Sequence, residues 1–387
     1  MVTIVEFGSS KISIISGSLD FSDKISVKAS FEIEYAGYTD SKFSDSKKLA
    51  TKLEQGISEI SLKMGERVKE IYVGVPAEFS YCVCREANLD FKKVKRITEA
   101  DIITLSKSGL EFNDASYELI SIAPIFFMVD NHKKVVQPLG MQGSLLSGLF
   151  SYSLAYTSFT NFIRQTFNAL GVKTREFIPV TLAQSLYLVP PEIRDNYCIV
   201  IDCGALDTHI ALSRGEGVLY FNNFALGGAH FNLDLMRVFD VGYELAEELK
   251  RKVNLSLALS EGENYEVYSG GRIYEFDAHL ANDVILARLY TIIDAVKNTL
   301  ANSTFDYPPN TPIFLTGGGL SHLRGARVHI EEGLDKSISL VSANSLTNNK
   351  PNQSAAMSVL WLALRESDSE KDEARGLVAF INKKLGR

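Results

Sequence analysis

The sequence predicts an α/β fold made of two similar β-rich halves, with a separate β-rich module inserted into the first half. Each half opens with an apolar strand that ends near an acid, Glu6 or Asp202, followed by a glycine turn and a returning strand. A repeated arrangement of this kind indicates an internal duplication. Residues 80–158 interrupt the first half, and a later buried strand ends in three glycines, Gly317 to Gly319.

The elements of the first half follow from the spacing of its apolar residues. Strands are predicted at 3–7, 12–17, 24–37 and 70–79, and helices at 44–64, 159–170 and 179–189. Ser44 or Asp45 is the expected N-cap of the first helix, because apolar side chains recur at helical spacing directly after them. The inserted module is predicted as strands at 81–91, 117–131 and 145–157, and a helix capped by Thr98.

The second half repeats the opening theme and then becomes more helical. Residues 197–228 are predicted as three strands joined by turns, and 264–276 as a small hairpin. Helices are predicted at 232–240, 243–253 and 279–302, and the strand at 313–316 is expected to lead through its glycines directly into a helix.

Composition excludes several classes of protein. The 387 residues are 45% hydrophobic and 22% charged, which indicates a globular chain with sizeable cores. A net charge of −7 argues against a general nucleic-acid binder. The four cysteines form no CxxC pair and are expected to be free thiols of a reducing cytoplasm. Neither a signal peptide nor a membrane-spanning apolar block is predicted.

The two acid-and-glycine turns have a chemical interpretation beside the plain one of two ordinary hairpins. A glycine at such a turn lets backbone N–H groups converge on an anion. Ser9, Ser10 and Lys11 can add phosphate contacts, and the acids Glu6 and Asp202 can hold Mg²⁺ through its water ligands. Together with the three later glycines, the turns favour a nucleotide site.

These motifs, in this order, resemble the actin-like ATPase superfamily, and most specifically its FtsA family of bacterial cell-division proteins. "VEFGSSK" and "VIDCGALDTHIAL" are similar to the two phosphate loops, and "FALGGAHFNLDL" is similar to the strand and paired glycines that follow the second loop. "AEELK" and "IFLTGGGLSHLRG" resemble the ribose-and-adenine helix and the adenosine motif. The module at 80–158, with "ITEADI" before its helix, resembles the subdomain peculiar to FtsA.

The resemblance implies an actin-like, duplicated ribonuclease-H-like, two-lobed fold with an FtsA-type inserted subdomain. The implied division is a first lobe of 1–79, 159–195 and 352–366, the inserted subdomain 80–158, a second lobe of 196–240 and 288–351, its small subdomain 241–287, a linker 367–375 and a terminal helix 376–387. It also implies that Glu247 and Lys250 reach the ribose and adenine. The residues expected to bind ATP are Gly8, Ser9, Ser10, Lys11, Gly204, Gly227, Gly228, Glu247, Lys250, Gly317, Gly318 and Gly319, with Glu6 and Asp202 for Mg²⁺.

The second phosphate loop departs from the family pattern. Ala205 and Leu206 replace glycines, Asp207 replaces a hydroxyl residue and His209 replaces an acid. A branched side chain at Leu206 is expected to make a left-handed backbone costly, and Asp207 is expected to repel a γ-phosphate. For His209 a structural role is favoured over a ligand role.

A second departure concerns the attacking water. Chaperone-like and MreB-like relatives carry an acid before a proline at the place where this chain has Ile178 and Pro179. An isoleucine cannot orient water, and Gln184, one helical turn or so away, is better interpreted as a packing residue than as a substitute. No catalytic residue is therefore assigned, and hydrolysis is expected to be slow or absent.

The C-terminal segment is amphipathic and basic. On a helix, one stripe would carry Leu377, Val378, Phe380, Ile381 and Leu385, and positive charge comes from Lys383 and Lys384. The residues alone leave open a membrane-surface helix and a helix docked on the body. The resemblance favours the membrane.

The functional expectation is an ATP-binding, filament-forming adaptor that tethers FtsZ, through its C-terminal peptide, to the inner face of the cytoplasmic membrane. The resemblance implies FtsZ as partner and places its contacts in "NYEVYSGGRIYEF", Asn264 to Phe276. Two alternatives remain: a PilM-like actin homologue of pilus assembly, which lacks the terminal helix, and a small-molecule kinase of the same fold, for which the sequence offers no clear base.

Overall fold

The computed structural model describes residues 1–20, 24–109, 114–132, 134–343, 350–368 and Ile381. The chain divides into two compact units. The first comprises Met1–Cys198, Ala211–Phe221 and Ala343–Arg387, and the second comprises Ile199–Ile210 and Asn222–Ser342.

The helices and strands agree closely with those predicted. Up to residue 194 the chain forms β1 (Val2–Phe7), β2 (Lys11–Leu19), β3 (Ile25–Glu34), β4 (Tyr38–Thr39), β5 (Lys42–Phe43), α1 (Ser46–Met64), β6 (Glu70–Val75), β7 (Ser80–Arg96), α2 (Glu99–Ser108), β8 (Tyr117–Val129), β9 (Gln142–Tyr156), α3 (Thr157–Ala169), β10 (Lys173–Pro179), α4 (Val180–Leu188) and α5 (Pro191–Arg194). It continues with β11 (Cys198–Cys203), β12 (Thr208–Arg214), β13 (Gly217–Phe224), α6 (Gly228–Phe239), α7 (Tyr243–Lys252), β14 (Asn264–Ser269), β15 (Arg272–Asp277), α8 (Ala278–Ala301), β16 (Ile313–Thr316), α9 (Ala326–Leu334), β17 (Ile338–Leu340) and α10 (Ser354–Asp368).

The two main sheets share one strand order, as the predicted duplication requires. The first sheet runs β10-β6-β1-β2-β3 and the second runs β17-β16-β11-β12-β13. In each, the first strand of its half lies in the centre, the second and third follow on one side, and the later strands pair on the other side. β1 pairs parallel with β6, and β11 pairs parallel with β16.

The central strands of the first sheet are buried on both faces, which explains the largely apolar sequences of β1 and β6. Along β1, Val2 and Ile4 belong to one buried cluster while Val5 and Phe7 belong to another. This alternation is the two-residue period of a strand. The first cluster includes residues of α4 and α10, and the second includes residues of α1 and α3.

Two predicted N-caps are confirmed. The Asp45 carboxylate accepts the backbone N–H of Lys48 at the start of α1, at 3.0 Å. Thr98 and Asp101 form a reciprocal capping box at the start of α2, in which the Asp101 carboxylate accepts the Thr98 N–H at 2.8 Å. Such pairs satisfy N–H groups that a helix leaves without internal partners.

The inserted module is a three-stranded antiparallel sheet with the order β7-β9-β8, accompanied by α2. Its own apolar cluster includes Ile102 and Leu105 of α2 together with Phe127 and Phe150 of the sheet. A separate core of this kind is what defines an inserted subdomain.

The second unit is rich in helices. The 24-residue helix α8 is joined to α6 by a bidentate ion pair, in which Arg288 Nε and Nη2 contact the two carboxylate oxygens of Asp234 at 2.6 and 2.9 Å. None of the described helices combines the length and the apolar character that are needed to cross a bilayer.

Two predicted boundaries were wrong. The chain does not enter a helix after the three glycines, because α9 begins only at Ala326, after Gly325 with φ of +81°. The preceding loop is held by a hydrogen bond from Leu255 N to Arg324 O at 2.9 Å. In addition, α10 continues to Asp368, so that Ser367 and Asp368 of the expected linker are helical.

Candidate functional site

The predicted first phosphate loop is a tight turn between β1 and β2, within the first unit. Gly8 N donates to Lys11 O at 2.9 Å, which closes the turn. Gly8 O accepts the hydroxyl of Tyr35 at 2.7 Å, and Ser10 O accepts the N–H of Tyr35 at 3.2 Å. Glu6 and Ser9 are buried, while Ser10 is exposed. The turn is therefore fixed by Tyr35, which the sequence did not indicate as a site residue.

Lys11, the expected phosphate ligand of this loop, is engaged in an ion pair. Its Nζ lies 2.6 Å from Glu32 Oε1 on the neighbouring strand β3, and the side chains are 26% and 41% exposed. At that exposure an ion pair contributes little to folding stability. The pair can therefore open at low cost when an anion competes for the ammonium.

The second loop, Asp202 to Asp207, is also a closed turn, and it lies in the second unit. Gly204 N donates to Asp207 O at 2.8 Å, which repeats the geometry of the first loop. Thr208 donates its hydroxyl to Leu226 O at 2.7 Å. The predicted equivalence of the two turns is thus present in their backbone hydrogen bonds.

The backbone cost expected at Leu206 is absent, whereas the expected repulsion of a γ-phosphate by Asp207 stays a prediction. Ala205 and Leu206 have φ angles outside the left-handed region, so their side chains impose no backbone strain. The glycines that relatives carry here are dispensable for the shape that this loop adopts. Leu206 points outward and is 36% exposed.

Glycines of the second unit meet at one place, which we call the glycine junction: Gly204, Gly227, Gly228, Gly317 and Gly319. A Cβ atom on Gly228 would lie 2.8 Å from Gly319 Cα, and one on Gly319 would lie 2.5 Å from Gly204 O. On Gly317, which has φ of +87°, a Cβ atom would lie 2.2 Å from Asp202 Oδ1. Three backbone segments therefore approach one another so closely that no side chain fits.

Backbone hydrogen bonds hold the glycine junction together. Gly228 N donates to Gly204 O at 2.9 Å, Ala229 N donates to Ala205 O at 2.8 Å, and Gly319 N donates to Cys203 O at 2.8 Å. The first N–H groups of α6 are consequently used by the second loop and are not available to an anion. The resemblance implies that Gly317, Gly318 and Gly319 contact the nucleotide. The structure shows that Gly317 and Gly319 are also needed for packing, because a side chain at either position would collide with the second loop.

Asp202 lies beneath the junction and faces a histidine. His209 Nε2 is 3.5 Å from Asp202 Oδ2, and both side chains are mostly buried. This contact agrees with the expected structural role of His209. The neighbouring thiol of Cys203 is also buried, which raises its pKa to about 12. All four cysteines are free thiols, as predicted.

The predicted Glu247–Lys250 pair of α7 is fully formed. Lys250 Nζ lies 2.6 Å from Glu247 Oε2 and also donates to Gly228 O at 3.3 Å. Two further groups hold the carboxylate: Asn232 Nδ2 donates to Oε2 at 2.6 Å, and Arg251 Nε donates to Oε1 at 3.0 Å. Partial burial raises the pKa of Glu247, but the hydrogen bonds from Lys250 and Asn232 outweigh it and lower the pKa below its ordinary value.

Relatives are expected to carry a water-orienting acid at the position of Ile178, and in this chain that position is buried in the first unit. Ile178 is 1% exposed and pairs with Gly74 across β10 and β6. Gln184 is buried on α4, in agreement with the packing role that the sequence favoured. Neither side chain is exposed for contact with a substrate.

The C-terminal prediction falls mostly outside the described residues, which include none of Leu377, Val378, Phe380, Lys383, Lys384 and Leu385. Ile381 is described, and its side chain is fully buried in the apolar cluster of the inserted module, with Ile102 and Leu105. For this residue the structure shows the docked arrangement that the sequence left open, and not an outward-facing side chain.

A groove of about 510 Å³ in the first unit was not indicated by the sequence. Its lining is charged and includes Arg67, Glu70, Arg175 and Glu366. The residues predicted to bind a nucleotide do not line it. Its residues carry no motif, so that sequence analysis had no signal from which to find it.

Comparisons with known proteins agree with this architecture. A family model described as the SHS2 domain inserted in FTSA matches residues 82–151, and a model described as type IV pilus assembly protein PilM matches residues 179–360. The cell division protein FtsA of Streptococcus pneumoniae is 27% identical over 258 residues, covering 65% of this chain and 56% of that protein. The FtsA of Enterococcus hirae is 26% identical over 292 residues, covering 72% and 64%. The matched region thus spans less than two thirds of these relatives.

Among solved structures, the PilM–PilN type IV pilus biogenesis complex has a TM-score of 0.63 at 16% identity, covering 94% of this chain and 98% of the other. MreB5 of Spiroplasma citri bound to ADP has a TM-score of 0.56 at 11% identity, covering 96% and 99%. At such identities the likeness concerns the fold alone, so the class that it defines is the actin-like fold. Within that class, the match of the inserted module and the curated relatives support an FtsA-type protein.

Proposed function

We propose that this chain is an ATP-binding, filament-forming adaptor of bacterial cell division, which tethers FtsZ to the inner face of the cytoplasmic membrane. The observation that carries the proposal is the inserted module. It matches the FtsA-type domain in sequence, and its three strands and one helix form a separate core at the predicted place. Its presence inside an actin-like chain distinguishes this proposal from a kinase of the same fold.

Nucleotide binding is supported by the second unit. Glu247 and Lys250 form a rigid pair beside the first residue of α6, where a carboxylate and an ammonium can hydrogen-bond ribose hydroxyls and adenine. The carboxylate of Asp202 is of the type that accepts hydrogen bonds from the water ligands of Mg²⁺, and this residue is mostly buried. Bound Mg²⁺ would neutralise phosphate charge, which matters most near Asp207.

Slow or absent hydrolysis is supported by the surroundings of Ile178. An acid is needed at or near this position to orient water in the relatives, and here an apolar side chain is packed in the core. Binding requires backbone donors and charge, whereas rapid hydrolysis also requires a positioned nucleophile. We therefore propose that nucleotide binding, without the need for hydrolysis, controls filament assembly.

The hairpin of β14 and β15 supports the proposed FtsZ contact. Tyr268 and Ile273 are directly opposite each other on the two strands and are 71% and 65% exposed. An adjacent exposed pair of large apolar side chains is a suitable anchor for a peptide. The double variant Y268S/I273S should weaken binding of a C-terminal FtsZ peptide at least about tenfold, as measured by fluorescence anisotropy.

A matched control for that variant is V94S. Val94 is similarly exposed, at 70%, but lies in the inserted module. V94S should leave the peptide affinity unchanged. Equal affinities of the double variant and the wild type would remove this hairpin from the proposed interface.

The membrane tether is tested by co-sedimentation with vesicles that contain anionic lipid. The full chain should pellet with vesicles, and the chain ending at residue 375 should remain in solution, because the amphipathic basic segment has been removed. Because Ile381 is buried in the module, lipid binding requires this side chain to leave its core. I381D should reduce pelleting, whereas equal pelleting of all three proteins would overturn the tether.

A second candidate is a PilM-like role in pilus assembly, and two observations favour it. The PilM family model covers residues 179–360, and the PilM–PilN complex has the same fold over nearly the whole chain. A PilM-like protein would bind the N-terminal peptide of a membrane protein and would not need its own tail to reach lipid. Vesicle binding without any partner distinguishes the two roles.

A further inference from the structure

Asn232 is a residue of the second unit whose contacts exceed what packing requires. It lies on α6 with 0% of its surface exposed, and its side-chain amide donates to Glu247 Oε2 at 2.6 Å. Burying an amide is unfavourable unless its hydrogen bonds are made, and among the described residues only its nitrogen has a partner, whereas Oδ1 has none. An apolar side chain would fill this position without that requirement, so the polar contact needs an explanation beyond core formation.

The contact belongs to a clamp between two helices. Gly228 and Asn232 are four residues apart on α6, and Glu247 and Lys250 are three apart on α7, so each pair shares one helix face. Lys250 Nζ contacts Gly228 O at 3.3 Å while Asn232 Nδ2 contacts Glu247. Asn232 therefore ties the carboxylate to the helix whose first turn enters the glycine junction.

Each donor to Glu247 has a different effect. Lys250 and Arg251 are the charged groups that contact the carboxylate, and they favour its ionised form. Arg251 is 66% exposed, so its contact is screened by water and contributes little. Asn232 adds no charge, but it fixes the direction of the carboxylate and occupies Oε2 together with Lys250. Within the described part of the chain, Arg251 is the one hydrogen-bond donor to Oε1, so this oxygen can accept a second donor.

We propose that Asn232 is the positioning residue that holds Glu247 ready to accept a ribose hydroxyl, and that this gives the site a preference for ribonucleotides over deoxyribonucleotides. The inference rests on the proposed nucleotide-binding function and specifies its selectivity. An acceptor that is ionised and already oriented gains a charge-assisted hydrogen bond from the sugar hydroxyl. A deoxynucleotide leaves that acceptor without its donor, and rigid positioning prevents the carboxylate from adapting.

The experiment measures dissociation constants for ATP, 2′-deoxy-ATP and 3′-deoxy-ATP by isothermal titration calorimetry. The wild type should bind ATP more tightly than at least one deoxy analogue, on the order of tenfold, the value of one hydrogen bond to a charged group. In N232A this ratio should fall to about two, because the carboxylate is no longer held. A purely structural role would weaken all three nucleotides equally and leave the ratio unchanged.

The variant N232D adds a second readout. A carboxylate at position 232 would lie against Glu247, and two adjacent carboxylates cannot both stay ionised without a penalty. N232D should weaken ATP binding at least about tenfold at pH 7.5. The difference in affinity between N232D and the wild type should become smaller toward pH 5.5, because the two carboxylates then share a proton. N161D, a change of the same type at an exposed position of α3, should have no effect on affinity at either pH.

The outcomes separate this inference from the proposed function. Wild type that binds none of the three nucleotides would overturn both. Wild type that binds ATP and both deoxy analogues equally would overturn only the inference, as would N232A with an unchanged selectivity ratio. Circular dichroism spectra and urea midpoints of the variants establish that each compared protein is folded.

Discussion

The two acid-and-glycine turns share a backbone pattern but differ in what surrounds them. In the first, Gly8 N bonds to Lys11 O, and the side chain of Tyr35, the residue after β3, donates to Gly8 O. In the second, Gly204 N bonds to Asp207 O, and the carbonyl groups of Gly204 and Ala205 accept bonds from the start of α6. The first turn receives a side-chain and a backbone hydrogen bond from Tyr35, whereas the second receives backbone hydrogen bonds from the first residues of α6.

The comparison of the two turns shows where the chain requires a glycine. Relatives carry glycines at positions 205 and 206, and this chain has lost them without backbone strain. It has Gly227, Gly228, Gly317 and Gly319 where an added Cβ atom would lie less than 3.0 Å from atoms of another segment. Glycine is therefore required where backbone segments meet, and it is not required at positions 205 and 206 for the shape of the turn.

The largest effect is expected from G317A. Alanine would adopt an unfavourable φ near +87° and place its Cβ 2.2 Å from Asp202 Oδ1. The free energy of unfolding should fall by about 3 kcal/mol, the sum of backbone strain and steric displacement. Urea denaturation followed by circular dichroism measures the change.

Two control variants divide that effect into its parts. Gly270 has φ of +56° and open space around it, so G270A should show the backbone cost alone. Gly242 has open space and an ordinary φ, so G242A should cost nothing or stabilise slightly. If G317A were no more destabilising than G270A, the close contacts at the junction would be irrelevant to stability.

An intermediate effect is expected at the first turn. K11M should weaken ATP binding about tenfold if the ammonium contacts phosphate, because a charge-assisted hydrogen bond is lost. E32Q should strengthen binding two- to threefold, since Glu32 no longer competes for Lys11 (an estimate of about 0.5 kcal/mol for an exposed ion pair). Equal affinities of K11M and the wild type would leave the first turn as an ordinary hairpin.

A smaller effect of definite sign is expected from pH. The folded pKa of Glu247 is lowered from its ordinary value of 4.5, so this carboxylate contributes stability above that value. The contribution is lost as pH falls through the folded pKa, because the unfolded chain then binds the proton first. The difference in unfolding free energy between the wild type and E247Q should be largest near pH 7 and should shrink below about pH 4.5.

The neighbouring glutamate provides the control for that titration. Glu248 is half exposed and contacts Arg251 Nη1 only at 3.7 Å, so E248Q should follow the wild-type curve. Parallel curves for the wild type and E247Q across the acidic range would show that the clamp on Glu247 contributes no pH-dependent stability.

The smallest effect is expected from the double variant A205G/L206G, which restores the glycines of the relatives. Because the loop needs no positive φ, glycine gains nothing here and only adds freedom to the unfolded chain, which costs about 1 kcal/mol. ATP affinity should change less than about twofold. A large gain in affinity would show that Leu206 itself obstructs the nucleotide.

Some local features could be predicted, because their residues belong to local patterns, whereas the nucleotide contacts stay predictions. Glu247 and Lys250 share a helix face by spacing alone, and the capping role of Thr98 follows from its position before an apolar periodic run. Tyr35 and Asn232 could not be predicted. Tyr35 reaches Gly8 from 27 positions away, and Asn232 reaches Glu247 from 15 positions away, so no local pattern relates them.

The helices and strands, the duplication and the inserted module were predictable from the sequence, because apolar periodicity and turn residues act over a few neighbouring positions. The contacts of the glycines became visible only in the tertiary structure, since the backbones that approach each other there belong to segments more than a hundred residues apart, such as Gly204 and Gly319. The tertiary structure likewise decided that Ile381 lies in the core of the module, because an amphipathic stripe is equally suited to protein and to lipid. Periodicity specifies which face of an element is apolar, and packing specifies what covers that face.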